Sequence, residues 1–196
     1  IALDGPITVE RYMGLCLAHP QYGYYMTRDP LGLEGDFITA PEISQMFGEL
    51  IGLWAAQVWL DRGAPSPLRL VELGPGRGTL MADALRAARV APGFLDAISV
   101  DLVETSPVLV EKQKRVLANA PVDCHWHTSL DTVPDGPAII IANEFFDALP
   151  LRQFVRQEGA WRERLVGLGD DGSLSFGLAP EPNREIDVKG REGAVV

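Results

Sequence analysis

Cysteine is nearly absent: of 196 residues only Cys16 and Cys124 are cysteines, and they stand far apart. That excludes a disulfide framework and leaves no thiol cluster for a metal, so a reducing compartment suits the chain. Basic residues are also scarce, with 17 Lys and Arg against 27 Asp and Glu, a net charge of −10. Without a dense Lys/Arg stripe to neutralise phosphates, nucleic acid is not an expected partner, and an acidic surface suits a cationic one. Long apolar runs are missing too. The best candidate, residues 43–60, is broken by Ser44, Gln45, Glu49 and Gln57, short of the roughly 20 apolar residues that span a bilayer. The start has no cleavable signal pattern. Histidine is rare, and although His125 and His127 flank Trp126, no third ligand is spaced to join them, so no metal site is expected.

What remains is an ordinary globular balance, 46% hydrophobic and 22% charged, enough for one well-buried domain. Residues 8–18 place Val9, Tyr12, Met13 and Leu17 near one helical face, and His19-Pro20 ends that helix. Residues 26–38 read as a long loop with Pro30, Gly32 and Gly35. Thr39 then reads as an N-cap, with Pro41 in the first turn and Glu42 completing a capping box. Ile43, Met46, Phe47, Leu50, Ile51, Trp54 and Val58 follow at helical spacing, and Trp54 and Trp59 are expected in helix packing. From residue 68 strands (68–73, 98–103, 122–126 and a buried 138–142) alternate with helices (79–90, 107–117). Such alternation implies parallel βαβ units that bind ligands at the strands' carboxyl ends. After Arg152 the pattern turns to β-hairpins, with turns near Glu158-Gly159 and at residues 169–172. Three regions result: an N-terminal helical cap (1–66), a Rossmann-like core (67–150) and a hairpin region (151–196). The initial Ile1 and the strand-like ending at residues 193–196 suggest a fragment.

The core's first strand runs into Glu72-Leu-Gly-Pro-Gly-Arg-Gly78, a loop between strand and helix. Glycines at 74, 76 and 78 allow a tight turn and close ligand approach. A dinucleotide fingerprint would need a further glycine where Thr79 stands. A carboxylate at Glu72 has the wrong sign for a pyrophosphate but suits the cationic methionyl end of S-adenosylmethionine. The second strand ends at Glu104, where an acid can accept from both ribose hydroxyls of an adenosine ligand. The fourth ends at Asn143-Glu-Phe-Phe-Asp147, a place where amino-methyltransferases often carry Asn or Asp before a Pro-Pro-aromatic turn. A structural glycine turn, a solvated strand-end acid and favourable acids at a helix start are the plain alternatives for these three places.

Several segments stand in one order: His19-Pro20, Gly23-Tyr-Tyr25, Gly35-Asp-Phe-Ile-Thr-Ala-Pro-Glu-Ile-Ser-Gln45, Phe47-Gly-Glu49, Glu72 to Leu80, Glu104-Thr-Ser-Pro107, Asn143 to Pro150 and Trp161-Arg-Glu-Arg164. Together they resemble the MidA family, bacterial and mitochondrial methyltransferases whose mitochondrial members help assemble respiratory complex I. The resemblance implies a class I methyltransferase fold (α/β, mostly parallel sheet), S-adenosyl-L-methionine as cofactor, and symmetric dimethylation of an arginine on a complex I subunit. It also implies a bacterial cytoplasmic or a mitochondrial matrix setting. By motif, Gly74, Gly76, Gly78 and Glu104 would contact the cofactor, and Gly35, Asp36 and Phe37 would close over it. Thr39, Pro41, Glu72, Pro75, Thr105, Ser129 and Leu130 complete the expected cofactor set. Members of the family continue well beyond the length of this chain.

Arginine is a difficult acceptor because its guanidinium stays charged and its lone pairs are delocalised. Bringing it to a sulfonium requires carboxylates that offset the repulsion and grip the planar fork. Asp36, Glu144 and Asp147, with Asn143 beside them, are the candidate catalytic residues. A small-amine methyltransferase and a catalytically silent assembly factor that binds the cofactor are the competing readings. An NAD-linked oxidoreductase is disfavoured by Glu72 and the glycine spacing.

Overall fold

The computed structural model describes residues 1–27 and 39–196. Near the start Thr8 ends a short extended pair, β1 (Ile7–Thr8), and its hydroxyl accepts the Arg11 N–H at 3.1 Å, capping α1 (Val9–Ala18). One turn, α2 (Tyr24–Thr27), follows. Beyond residue 38 the chain makes a single turn, α3 (Ala40–Ile43), before Ser44 drops into extended backbone. The Ser44 hydroxyl then accepts the Met46 N–H at 3.3 Å and starts α4 (Gln45–Asp61). The one long helix expected from Thr39 is thus two. Thr39 makes no side-chain cap bond, and the capping box is not formed, because the Glu42 carboxylate accepts from the Thr79 hydroxyl at 2.6 Å instead.

The chain continues through β2 (Leu68–Leu73), α5 (Thr79–Ala88), α6 (Phe94–Ala97), β3 (Ile98–Val103), α7 (Pro107–Val116), β4 (Cys124–His127) and β5 (Ala138–Ile141). The last elements are β6 (Phe154–Gln157), β7 (Ala160–Leu168) and β8 (Leu174–Asn183). No helix among the described residues is long and apolar enough to cross a membrane.

Contacts divide the chain into two units. The one described from Thr39 to Asp147 is built on a wholly parallel sheet of order β4-β3-β2-β5. One face of that sheet (Leu68, Leu70, Val100, Leu102, Ile139 and Ile141) packs with α4 and α5 to form the main core. The α4–α5 approach needs glycine. A Cβ on Gly52 would lie 2.3 Å from the Ala84 carbonyl oxygen, and one on Gly48 would lie 2.7 Å from Asp83 Cβ. Small residues therefore form the inward face of α4: Gly48, Gly52, Ala55 and Ala56 are buried together with Trp59. The apolar stripe expected inward splits. Phe47, Ile51 and Val58 pack against the core, whereas Ile43, Met46, Leu50 and Trp54 are exposed. β5 is likewise not buried on both faces: Ile139 and Ile141 are inside and Ile140 is half exposed.

The second unit joins Ile1–Thr27 to Ala148–Val196. Its antiparallel sheet pairs β7 with β1, β6 and β8. Both expected hairpins form, and Val195 adds a bridge to Val155, as the strand-like ending implied. Trp161 is fully buried and donates its indole N–H to the Val188 carbonyl at 2.9 Å. These units depart from the division at 66/67 and 150/151. Glycine packing ties α4 to α5 and the core shared with the parallel sheet, and β1 pairs the N-terminal segment with β7.

Candidate functional site

All four strands of the parallel sheet point the same way, so the loops leaving β2, β3, β4 and β5 share one rim. Between β2 and α5 the chain turns through Gly74, Gly76 and Gly78 at φ of 62°, 55° and 84°, a left-handed region that costs other residues energy. The Gly74 N–H donates to the Val103 carbonyl at 3.0 Å, and the Gly78 N–H to the Pro75 carbonyl at 2.8 Å. Gly74 is needed for a second reason. A Cβ there would meet the Phe145 ring at 2.6 Å. The loop after β5 thereby leans its first aromatic on the glycine loop.

Two acids flank this turn. Glu72, one residue before the end of β2, is buried, and its Oε2 has no hydrogen-bond partner among the described residues. Burial pushes its carboxyl up to about 8. Glu104 follows β3 directly. Its own N–H donates to the His127 carbonyl at 2.9 Å, and its Oε1 accepts the Ser106 N–H at 2.8 Å. Burial raises this carboxyl as well, and bonds from Ser106, Thr105 and Gln113 pull partly against the shift. Both acids are thus held at the sheet's carboxyl rim with their charges poorly solvated.

The other expected residues divide. Thr105 sits beside Glu104 and donates its backbone N–H to it. Ser129 and Leu130 follow β4 on the same rim, where the Ser129 hydroxyl accepts from Asp131 N–H and opens a 3₁₀ turn. Asn143 is half-buried beyond β5, and Glu144 is exposed at φ 47°. Asp147 lies in the three-residue 3₁₀ turn Phe146–Ala148. No α-helix starts there, so the acids have no helix macrodipole to complement. Thr39 and Pro41 lie at α3, which meets the start of α5 through the Glu42–Thr79 bond and the glycine loop through a 3.6 Å Arg77–Glu42 ion pair. Gly35, Asp36 and Phe37 lie outside the described residues. His127 belongs to another cluster, its Nε2 donating to Asp101 at 2.8 Å.

Three residues at this rim went unread in the sequence. By spacing Glu42 reads as part of a capping box, Phe145 as part of the segment 143–146 that stands in place of a Pro-Pro-aromatic turn, and Gln113 as one position of the helix 107–117. Phe145 had a signal, an aromatic directly after a strand-end polar pair; Gln113 had none beyond being a polar residue on an apolar helix face.

These residues fit an adenosyl sulfonium ligand. The glycine turn admits close backbone approach, Glu104 offers a carboxylate at the neighbouring strand end, and the unpartnered Glu72 oxygen can face a cation. Comparison with known proteins agrees. Residues 50–190 match the family described as "Putative S-adenosyl-L-methionine-dependent methyltransferase". The zebrafish (Danio rerio) protein named protein arginine methyltransferase NDUFAF7, mitochondrial, is 42% identical over 93% of this chain and 49% of its own length. The human protein of that name is 43% identical, over 92% and 46%. A Burkholderia thailandensis structure solved with S-adenosyl-homocysteine superposes at TM-score 0.74 with 30% identity, covering 94% of this chain and 48% of that one. The chain thus spans about half the length of the relatives it matches. On the match over most of its residues, and on a parallel sheet of the same architecture, the chain belongs to the S-adenosyl-L-methionine-dependent methyltransferase family.

Proposed function

We propose that this chain is the cofactor-binding part of a protein-arginine methyltransferase that symmetrically dimethylates a subunit of respiratory complex I or its bacterial equivalent. The observation behind this reading is the buried Glu72 carboxyl with an unpartnered oxygen beside a left-handed glycine turn. The arginine acceptor rests on the relatives' printed names, as does a mitochondrial setting in a eukaryotic source; a bacterial source would place the protein in the cytoplasm.

The cofactor supplies an electrophilic methyl group on a positively charged sulfur. Everything else is positioning by the protein. Glu104 accepts from the ribose hydroxyls, Glu72 balances the ligand's positive charge, and the glycine turn lets backbone lie close to it. Asn143, Glu144 and Asp147, with Asp36, hold the guanidinium, and the carboxylates offset the repulsion between two cations. Once methylated, the nitrogen is strongly acidic and releases its proton without a strong base.

Glu144→Gln tests the acceptor role. In the whole protein it is expected to lower methyl transfer to an arginine-containing protein about 100-fold, the scale of one well-placed electrostatic group, with cofactor affinity unchanged. Free amines serve as competitor substrates. Full turnover in this variant would remove Glu144 from the acceptor site, lost cofactor binding would move it to the other site, and preferential methylation of free amines would overturn the protein-arginine reading.

A further inference from the structure

Gln113 is fully buried on α7 and makes three hydrogen bonds to three separate elements. Its Oε1 accepts the Trp126 indole N–H at 3.0 Å. Its Nε2 donates to the Gly76 carbonyl at 2.8 Å and to Glu104 Oε2 at 3.3 Å. The amide orientation follows from the partners' chemistry. An indole N–H can only donate, so the amide oxygen must face Trp126; a carbonyl and a carboxylate only accept, so the NH₂ must face the rim.

We propose that Gln113 is a positioning residue that holds the Glu104 carboxylate and the glycine turn in one fixed orientation for the ligand's ribose. This rests on the reading of Glu104 as the ribose acceptor. The glycine loop and Glu104 leave different strands, β2 and β3, and the backbone alone leaves the Glu104 side chain free to turn at each of its torsions. Ser106 and Thr105 hold the carboxylate from its own loop. Gln113 supplies the hold from across the site, and the Trp126 indole on β4 keeps the amide from flipping. Helix α7 packs against the glycine turn: a Cβ on Gly78 would lie in ordinary van der Waals contact, 3.4 Å from both Cα and Cγ of Gln113, so the left-handed φ of 84° rather than crowding calls for glycine there. Every polar atom of the Gln113 side chain is satisfied, the condition under which a buried polar network rigidifies its surroundings.

A merely structural glutamine would weaken all ligands alike, whereas a residue acting through Glu104 must act on the ribose. The test measures calorimetric affinities of S-adenosylhomocysteine and its 2′-deoxyadenosyl counterpart in the whole protein. Wild type, Gln113→Met, Trp126→Phe and Glu104→Ala are compared. Gln113→Met is expected to weaken S-adenosylhomocysteine about 10-fold, the scale of a hydrogen bond to a charged group, and the 2′-deoxy ligand much less. The KM for S-adenosylmethionine rises while kcat at saturation holds within about 2-fold. Trp126→Phe keeps the amide but frees it to flip, and shifts the ligand preference the same way by a smaller factor even where Gln113→Met folds poorly. Equal weakening of both ligands, or unchanged affinity in both Gln113→Met and Trp126→Phe, overturns the proposal. If Glu104→Ala loses the ribose preference while both other variants keep it, the positioning role alone fails. If Glu104→Ala keeps the preference, the ribose reading fails and this inference with it.

Discussion

Two buried carboxylates in one parallel sheet have opposite surroundings. Asp101, in the middle of β3, accepts from Arg69 Nη1 at 3.0 Å on one oxygen and from His127 Nε2 at 2.8 Å on the other. Glu72, one strand over and nearer the carboxyl rim, has an oxygen with no partner among the described residues, and its carboxyl is pushed up to about 8. A charge removed from water is costly unless paired and hydrogen-bonded. The fold itself satisfies Asp101 with side chains from β2 and β4, which makes Asp101 part of the architecture. Nothing described in the fold does the same for Glu72, and the position where its charge is missing a partner is the rim where a cationic ligand would sit.

Removing the charge should therefore have opposite consequences at the two positions. Asp101→Asn keeps the shape but leaves Arg69 and His127 facing a neutral amide whose NH₂ must point at one of two donors. The expected cost is about 3 kcal/mol of folding stability, the low end of the range for breaking a buried ion pair, because Arg69 keeps some contact with water. Urea unfolding measures it. A loss below about 0.5 kcal/mol, the scale of an ordinary surface substitution, would erase the distinction between the two acids.

The parallel half of this fold was legible because its signals are local. Strands 68–73 and 98–103 fall on β2 and β3 residue for residue, and Gly74, Gly76 and Gly78 make the tight turn that their spacing suggested, each with a left-handed φ. Glu104 stands at its strand end, as read. What failed depended on partners distant in sequence. The inward face of α4 is set by how near α5 can come, so Gly48 and Gly52 are buried and Met46 and Leu50 are not, a preference that hydrophobic periodicity ranks the wrong way round. Glu42 had two available partners, its own helix start and Thr79 on another helix, and sequence spacing displays only the first. Gln113 joins residues 37 positions before it and 13 after it, a relation no local pattern records.

At Glu72 the neutral substitution should spare the fold and affect the ligand. Glu72→Gln removes a desolvated acid, so stability at pH 8 and above is expected to hold or rise. Affinity for S-adenosylmethionine should fall about 10-fold, the scale of losing one charge-assisted contact. Thermal unfolding with and without ligand separates the two effects. A variant that is destabilised like Asp101→Asn and binds normally would show that Glu72 is architectural too.

The finest distinction is in protons. Glu72 has its folded value raised from 4.5 to about 8, so between those limits the folded protein holds a proton that the unfolded chain has released. This contribution to stability is fully present below pH 4.5 and is lost as pH rises towards 8, by at most about 1.4 kcal/mol per pH unit. A cation arriving beside the carboxyl favours its ionised form and lowers that value. Binding S-adenosylmethionine at pH 7 should then release up to about one proton, and affinity should climb with pH until near 8 and level off. Calorimetry in buffers of different ionisation heat counts the proton directly. S-adenosylhomocysteine, which lacks the sulfonium charge, should release less, and Glu72→Gln should abolish the Glu72 share of the release. Equal release in Glu72→Gln and wild type would assign the proton to another group and leave Glu72 a buried, neutral acid with no part in the ligand's charge.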